Sequence, residues 1–429
     1  MGSRGLGALA AVAAIALTAS PALASHNSDI HTPNLSVVHH DEFAFGTDLD
    51  FEGRTVVAGA GDWDGTHPTG IRLYDSKKPA QPKGLAFANC DAWHSDVGLW
   101  GKLAFQSVDD GDGNDTCSPG AGQEGVRIYD ISNRRKPQSI GFAETIHGSH
   151  NFSVVDDAGL IYVSSYNLTD PTDVDGVSIV DVKADPQNPP VTFLEFPDVD
   201  ATAEHEDMAN ESGDPLPDSP GCHDIGIDLE RDLAYCAAIT ETMIWDISDR
   251  RRPVIVSIIR NPAINIHHGA YPNADGDVLV VNDEWAGASG GPTGCLLPQA
   301  PTGALWFYDV SDPRNPQGPL SYFAPPDPAP TDDFCTSHFF GTFPDRDWLV
   351  TSWYDHGIYV VDFSNPAAPQ LKGRYDPGGA GEGANFWSAY PHQGYLYANS
   401  FAPATLTSSD PANRYGGLWV FALEGYTPD

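Results

Sequence analysis

Short apolar runs, each opened by a small residue and most closed by Asp, recur along the whole chain. The copies are GIRLYD (Gly70–Asp75), GVRIYD (Gly125–Asp130), GVSIVD (Gly176–Asp181), TMIWD (Thr242–Asp246), ALWFYD (Ala304–Asp309), GIYVVD (Gly357–Asp362) and GLWVFA (Gly417–Ala422). Several run on into S-[DN]-x-x-x-P, as at Ser132–Pro137, Ser248–Pro253, Ser311–Pro316 and Ser364–Pro369. Gly, Asn, Asp and Pro permit or preset the backbone angles of tight turns, so each copy predicts strand, turn, strand. A second hairpin precedes the copies, for example SHNFSVVDDAGLIYVSSY (Ser149–Tyr166) and SHFFGTFPDRDWLVTSWY (Ser337–Tyr354). One unit is therefore four short antiparallel strands, A to D, repeated at roughly 50–65 residues. No long segment has the helical period, and 36 prolines disfavour helices.

A four-stranded sheet cannot bury both apolar faces alone, and seven copies satisfy each other by packing face to face around an axis. The expected fold is all-β: a seven-bladed β-propeller of four-stranded antiparallel blades. The last copy is followed by no fourth strand, while Asn34–Val38 forms an unpaired strand ahead of the first unit. That N-terminal strand is expected to complete the last blade and close the ring.

The phrase [GA]-[IVL]-x-[IVLF]-[YVW]-D with its S-[DN]-x-x-x-P tail resembles the LVIVD repeat of exported propeller-like proteins, and the resemblance implies the same fold over nearly the whole chain. TSHFFGTFPDRDWLVTS (Thr336–Ser352) and YDISNRRKPQSIGF (Tyr129–Phe142) are more distantly similar to selenium-binding, methanethiol-oxidase-like propellers. That similarity implies metal-dependent oxidation of small thiols, although the histidine and cysteine segments typical of that family have no match here.

Residues 1–24, MGSRGLGALAAVAAIALTASPALA, have an early Arg4, an apolar run and small residues at Ala22 and Ala24, the pattern of a secretory signal peptide. Residues 25–429 are then expected to form a single propeller domain that is secreted, extracellular and monomeric, with no membrane span. The formal net charge of −37 repels phosphate, which argues against nucleic acid as a partner. All six cysteines follow the signal segment, and no C-x-x-C pair is present, so disulfides are favoured over a thiolate metal site. Six cysteines allow fifteen pairings. The parsimonious set, given where strands and loops are expected, is Cys90–Cys117, Cys222–Cys236 and Cys295–Cys335.

Aligning the A strands brings out the candidate chemistry. His94, His150, His223, His268 and His338 fall at the start of strand A in five successive units, with Asn385 or Trp387 at that place in the last unit and Ala44 or Phe45 in the first. Strand A is innermost in a propeller, so equivalent positions converge on the central channel. Imidazole suits Cu, Fe or Zn, and several neutral imidazoles in one space are readily bridged by such a metal. The arrangement is similar in outline to carotenoid-cleaving oxygenases, which hold iron with channel histidines from separate blades. Asp283, Glu284, Asp355 and His356, at the ends of B strands, are expected beside the histidines, where they would hydrogen-bond the imidazoles or face a substrate and move its protons. The long polar B-to-C loops open on the same end, where a small molecule or an extracellular partner would bind. The expected function is a metal-dependent, small-molecule redox enzyme. The alternative is a non-catalytic extracellular binding or surface protein whose histidines only bond backbone carbonyls and buried water. Asp109–Asp115 (DDGDGND) is rich enough in oxygen for Ca²⁺ but lacks the EF-hand spacing, which favours a solvated acidic loop. No G-x-S-x-G elbow, Walker loop, Rossmann fingerprint or H-E-x-x-H motif occurs.

Overall fold

The computed structural model describes residues 30–43, 45–61, 68–92, 94–109, 113, 117–146, 148–165, 176–195, 221–284, 301, 303–326, 336–377, 384–401 and 416–427. The signal-peptide segment lies outside them. Every described element is a β-strand. Five sheets have four consecutive antiparallel strands each. They run from Gly46–Glu52 to Lys83–Asn89, Val97–Trp100 to Gln138–Glu144, Asn151–Val155 to Val191–Glu195, Asp224–Asp228 to Val254–Ile259, and His267–Pro272 to Gln317–Phe323. The remaining strands form one nine-stranded sheet, antiparallel except where Phe339–Thr342 runs parallel to Asn385–His392.

Local chemistry explains the repeated phrase. Its closing Asp accepts a hydrogen bond from the backbone two residues on, as in Lys77 N to Asp75, Ser132 N to Asp130, Ser248 N to Asp246, Ser311 N to Asp309 and Ser364 N to Asp362. These are Asx turns, which bend the chain into the next strand. The opening Gly has a left-handed φ, +153° at Gly125 and +86° at Gly357, where an added Cβ would stand 1.9 and 2.0 Å from the carbonyl oxygens of Ala143 and Tyr375. Only glycine fits there.

The first strand of each unit lies against the first strand of the next, and Asn385–His392 lies against Gly46–Glu52, so the row of first strands returns on itself. Apolar cores sit between successive sheets. Trp245, Met243 and Ile225 pack with Tyr162 and Ile179 of the preceding sheet, and Leu49, Val56 and Tyr74 pack with Tyr397 and Leu418. The N-terminal strand behaves as expected, although it is longer: Leu35–Glu42 pairs antiparallel with Gly417–Leu423, from Leu35 opposite Leu423 to Glu42 opposite Gly417. Ile30–His31 pairs with Gln370–Asp376 as well, so the N-terminal segment ties two units together. No helix among the described residues is long and apolar enough to cross a membrane.

Candidate metal centre

Each of the five histidines lies at or just before a first strand: His94 ahead of Val97–Trp100, His150 ahead of Asn151–Val155, His223 ahead of Asp224–Asp228, His268 within His267–Pro272, and His338 ahead of Phe339–Thr342. Their rings form a circuit. Centroid separations are 4.2 Å for His94–His150, 4.9 Å for His150–His223, 4.1 Å for His223–His268 and 4.2 Å for His268–His338. Trp387 completes it, 4.3 Å from His338 and 4.9 Å from His94. Asn385 lies nearby on the same strand, but Trp387 takes the sixth place. Of the first unit's pair, Phe45 packs against Phe339, Tyr354 and Trp387. Ala44 is outside the described residues.

Two of the six are aimed by β-bulges. Pairing shifts between His267 and Gly269, leaving His268 as the extra residue, and shifts again between Phe386 and Ser388, leaving Trp387. A bulge redirects the extra side chain. His267 is turned instead to Thr242, whose Oγ1 lies 2.8 Å from its Nδ1.

Burial dominates the electrostatics. His94, His223, His268 and His338 are at most 5% exposed. Desolvation, with the neighbouring imidazoles adding to it, holds His94, His223 and His268 well below the usual histidine pKa, and burial holds His338 down to about 3. These four rings are neutral at neutral pH, the state that ligates metals. Each histidine's Nδ1 has a partner: the His150 carbonyl for His94 (3.1 Å), Asp109 Oδ2 for His150 (2.9 Å), the Trp387 carbonyl for His338 (2.6 Å), Asn151 Nδ2 for His223 (3.2 Å) and Asn282 Nδ2 for His268 (3.4 Å). Asp109 is thus committed to His150, and most of the rest of the Asp109–Asp115 stretch lies outside the described residues.

Glu284 is the carboxylate at the ring. Its Oε2 lies 3.6 Å from His268 Nε2 and its Oε1 lies 3.6 Å from His338 Nε2. His223, His268 and Glu284 each offer a ligand atom within 4.8 Å of the others. Burial raises the Glu284 pKa to about 7. The Tyr354 hydroxyl donates to Glu284 Oε1, and its ring lies 4.8 Å from His338. Tyr354 holds a left-handed φ of +43°, a strained conformation for a bulky side chain and one that clusters at functional sites.

The other expected neighbours have different employment. The Asp283 carboxylate accepts from the backbone of Asn265, Ile266 and Gly303 and from the Asn265 side chain, at 2.8–3.1 Å, and so braces the loops behind the ring. His356 is buried near Arg374, and burial, aided by that charge, lowers its pKa to about 4. Asp355 is half-buried in the same turn. Cys90–Cys117 and Cys222–Cys236 are disulfides, the latter adjacent to His223. Cys295 and Cys335 are outside the described residues.

Sequence alignment of the histidines does not reveal a layer of buried acids a step further along the first strands. Asp48 and Asp96 hydrogen-bond to each other, Tyr390 donates to Asp48 (2.6 Å), and Tyr271 donates to Asp224. Burial raises all three carboxyls, Asp224 to about 7. The signal for this layer is an acid one to three places after the aligned position, as in HSD and CHD.

The LVIVD repeat family profile matches residues 353–377. The solved β-propeller domain of Cps50 (Swd1) from Myceliophteria thermophila is similar over 91% of this chain and 99% of its own, with a TM-score of 0.57 and 11% identity. The chain is a β-propeller carrying the LVIVD repeat. At that identity the solved propeller speaks for the fold alone. No curated protein matches the LVIVD propeller described here. Neither match bears on the selenium-binding, methanethiol-oxidase-like propellers, so that similarity stays an expectation.

Proposed function

We propose that this LVIVD propeller is a secreted, monomeric, seven-bladed protein whose channel binds one transition metal through the ring of His94, His150, His223, His268 and His338 with Glu284. The observation that carries the reading is five imidazoles in one circuit, closed by Trp387, with a carboxylate 3.6 Å from two of them. Neutral imidazole with one carboxylate suits Zn or Fe, and imidazole also suits Cu. The seven-blade count rests on dividing the nine-stranded sheet at its one parallel pairing, which leaves two further four-stranded units, one of them with the two-residue strand Ile30–His31 added at its edge, beside the five separate sheets. Export is supported by the two disulfides and by the signal-like N-terminus.

A metal held there would supply Lewis-acid or redox chemistry to a small molecule arriving from the loop face. The chain's own residues would hold and orient it. The carbonyls of residues 150 and 387 and the Asp109 carboxylate fix three rings through Nδ1, as outer-shell partners of metal ligands do. Trp387 and Phe45 would limit water on the remaining side.

A second reading has its own support: His94 and His338 each bond a backbone carbonyl of the next unit, just ahead of its first strand at His150 and on it at Trp387, which is also how a purely structural ring would stitch blades together. Elemental analysis of tag-free protein separates the two. Stoichiometric transition metal, lost in the His150→Ala/His223→Ala double variant, is the expected result. Metal-free protein that takes up none on titration with Zn²⁺, Fe²⁺ or Cu²⁺ would leave the non-catalytic scaffold as the function.

A further inference from the structure

The turns at the far end of the first strands gather positive charge that the net charge of −37 hides. The first strand of the second unit runs from the histidine end, at His94, to a turn at Gly101 and Lys102, so this face lies opposite the ring. On it, residues 75–83 (DSKKPAQPK) and 130–138 (DISNRRKPQ) follow the repeated phrase in the first and second units. Hydrogen bonds join these pieces into one surface. Ser76 N donates to the Arg54 carbonyl at 3.0 Å, Ile131 N donates to the Lys102 carbonyl at 2.8 Å, and Arg134 Nη1 of the second unit donates to the Arg54 carbonyl of the first at 3.0 Å.

The turn itself does not need this charge. In the sixth unit the same Asx turn forms over residues 362–370, DFSNPAAPQ, with no basic residue. Stitching of neighbouring units does not account for it either, because other residues do that. Arg54 and Arg134 both hold Asp75, at 2.8 and 3.6 Å, Arg250 holds Asp157 and Asp232 at 2.8 and 2.6 Å, and Arg251 holds Asp181 at 2.7 Å. Lys77, Lys78, Lys83, Lys102, Arg135 and Lys136 are exposed, and none of the six forms an ion pair among the described residues. The acids of the same turns are Glu52, Asp75, which two arginines share, and Asp130, which accepts from Ser132 N in its own turn and lies near Lys102. At physiological salt, exposed charges more than about 8–10 Å away are largely screened, so an approaching anion meets this patch rather than the acids of the rest of the chain.

The composition of the patch selects the anion. Lysine is a point charge on a flexible stem, suited to anions spread along a partner rather than to one group gripped bidentately. The exposed large apolar side chains, Ile30, Ile146, Val191, Val254, Leu320 and Tyr322, all lie outside these turns. Trp100, the aromatic beside Lys102, donates through Nε1 to the Asp156 carbonyl at 2.9 Å and packs where a Cβ on Gly159 would fall. The patch therefore has no apolar wedge to enter a bilayer and no free aromatic face on which unpaired bases would stack.

We infer that the turn face of the first two units is a docking surface for a linear acidic polysaccharide, one that carries carboxylate or sulfate groups along its length. Docking there leaves the histidine end of the channel facing away from the polymer.

The test is fluorescence anisotropy of a labelled heparin oligosaccharide, which carries both carboxylate and sulfate, titrated with the full-length protein. Binding should weaken by about a hundredfold between roughly 50 and 200 mM NaCl, as release of counterions from a few contacts requires. Lys78→Gln/Arg135→Gln/Lys136→Gln should weaken it by about tenfold or more at the lower salt. Lys183→Gln/Arg252→Gln/Arg314→Gln changes the net charge equally, on exposed turns of other units, and should change affinity by less than about threefold. All six positions are exposed turn side chains, and unchanged melting curves would verify that both variants fold. No binding at the lower salt, or equal loss in the two triple variants, would overturn the inference. Tighter binding to polyglutamate, to vesicles of phosphatidylcholine with phosphatidylglycerol, or to single-stranded DNA would overturn the choice of a polysaccharide as the partner.

Discussion

Glu284 couples the ring to pH, because burial lifts its carboxyl to about 7 whereas His338, at about 3, and His94, His223 and His268, well below their usual value, stay neutral far into acid. Below pH 7 a metal that takes a Glu284 oxygen must displace its proton, so affinity for Zn²⁺ should fall by about tenfold per pH unit from 7 to 5. Glu284→Gln should weaken binding and abolish that slope, and calorimetric titrations at several pH values would read both. A steep loss near pH 6.5 that survives in the variant would instead mean that ordinary, exposed histidines hold the metal. At this scale the sequence was informative where the repeat copies a residue. The five histidines stand at one aligned position, and Glu284 follows directly on the end of a B strand. Tyr354, Asn151 and Asn282 were not legible, because their roles depend on which partner a folded neighbour offers rather than on any pattern along the chain.

Strands, turns and glycines followed from the alternation of apolar runs with Asp, Ser and Pro, since Asx turns and left-handed glycines are local devices. The bulges at His268 and Trp387 were not legible, because a bulge is a mismatch between two strands and leaves no mark on either one alone. The tight approach of first strands near the axis makes a prediction at this scale. A Cβ on Gly226 would stand 2.1 Å from the Ala270 carbonyl oxygen of the next sheet, a backbone atom with little room to retreat. Gly226→Ala should cost about 1–3 kcal/mol in chemical denaturation, as overpacking does. Because Gly226 is three residues from His223 and Ala270 two from His268, the same variant should also weaken metal binding. A neutral effect on stability would mean that the inner strands are looser than described.

Whole-molecule closure depends on the N-terminal segment, whose Leu35 is 1% exposed and whose strand pairs with Gly417–Leu423. Removing residues 30–42 should lower the melting temperature and broaden the transition, as the two ends of the ring come apart; an unchanged, sharp transition would show that the ring closes without this strand. The radial arrangement was the most legible feature of all, since sheets that repeat must pack on one another, and a ring brings like positions together. What the repeat could not convey was which wall of the channel would carry acid or aromatic groups, because those residues differ from unit to unit. The central claim is most directly tested by anomalous diffraction from crystals grown with Zn²⁺, recorded at the zinc absorption edge. The account predicts one strong peak inside the circuit of His94, His150, His223, His268, His338 and Trp387, within bonding distance of Glu284. Zinc bound only elsewhere, or no peak within the circuit at full occupancy of the outer sites, would contradict it.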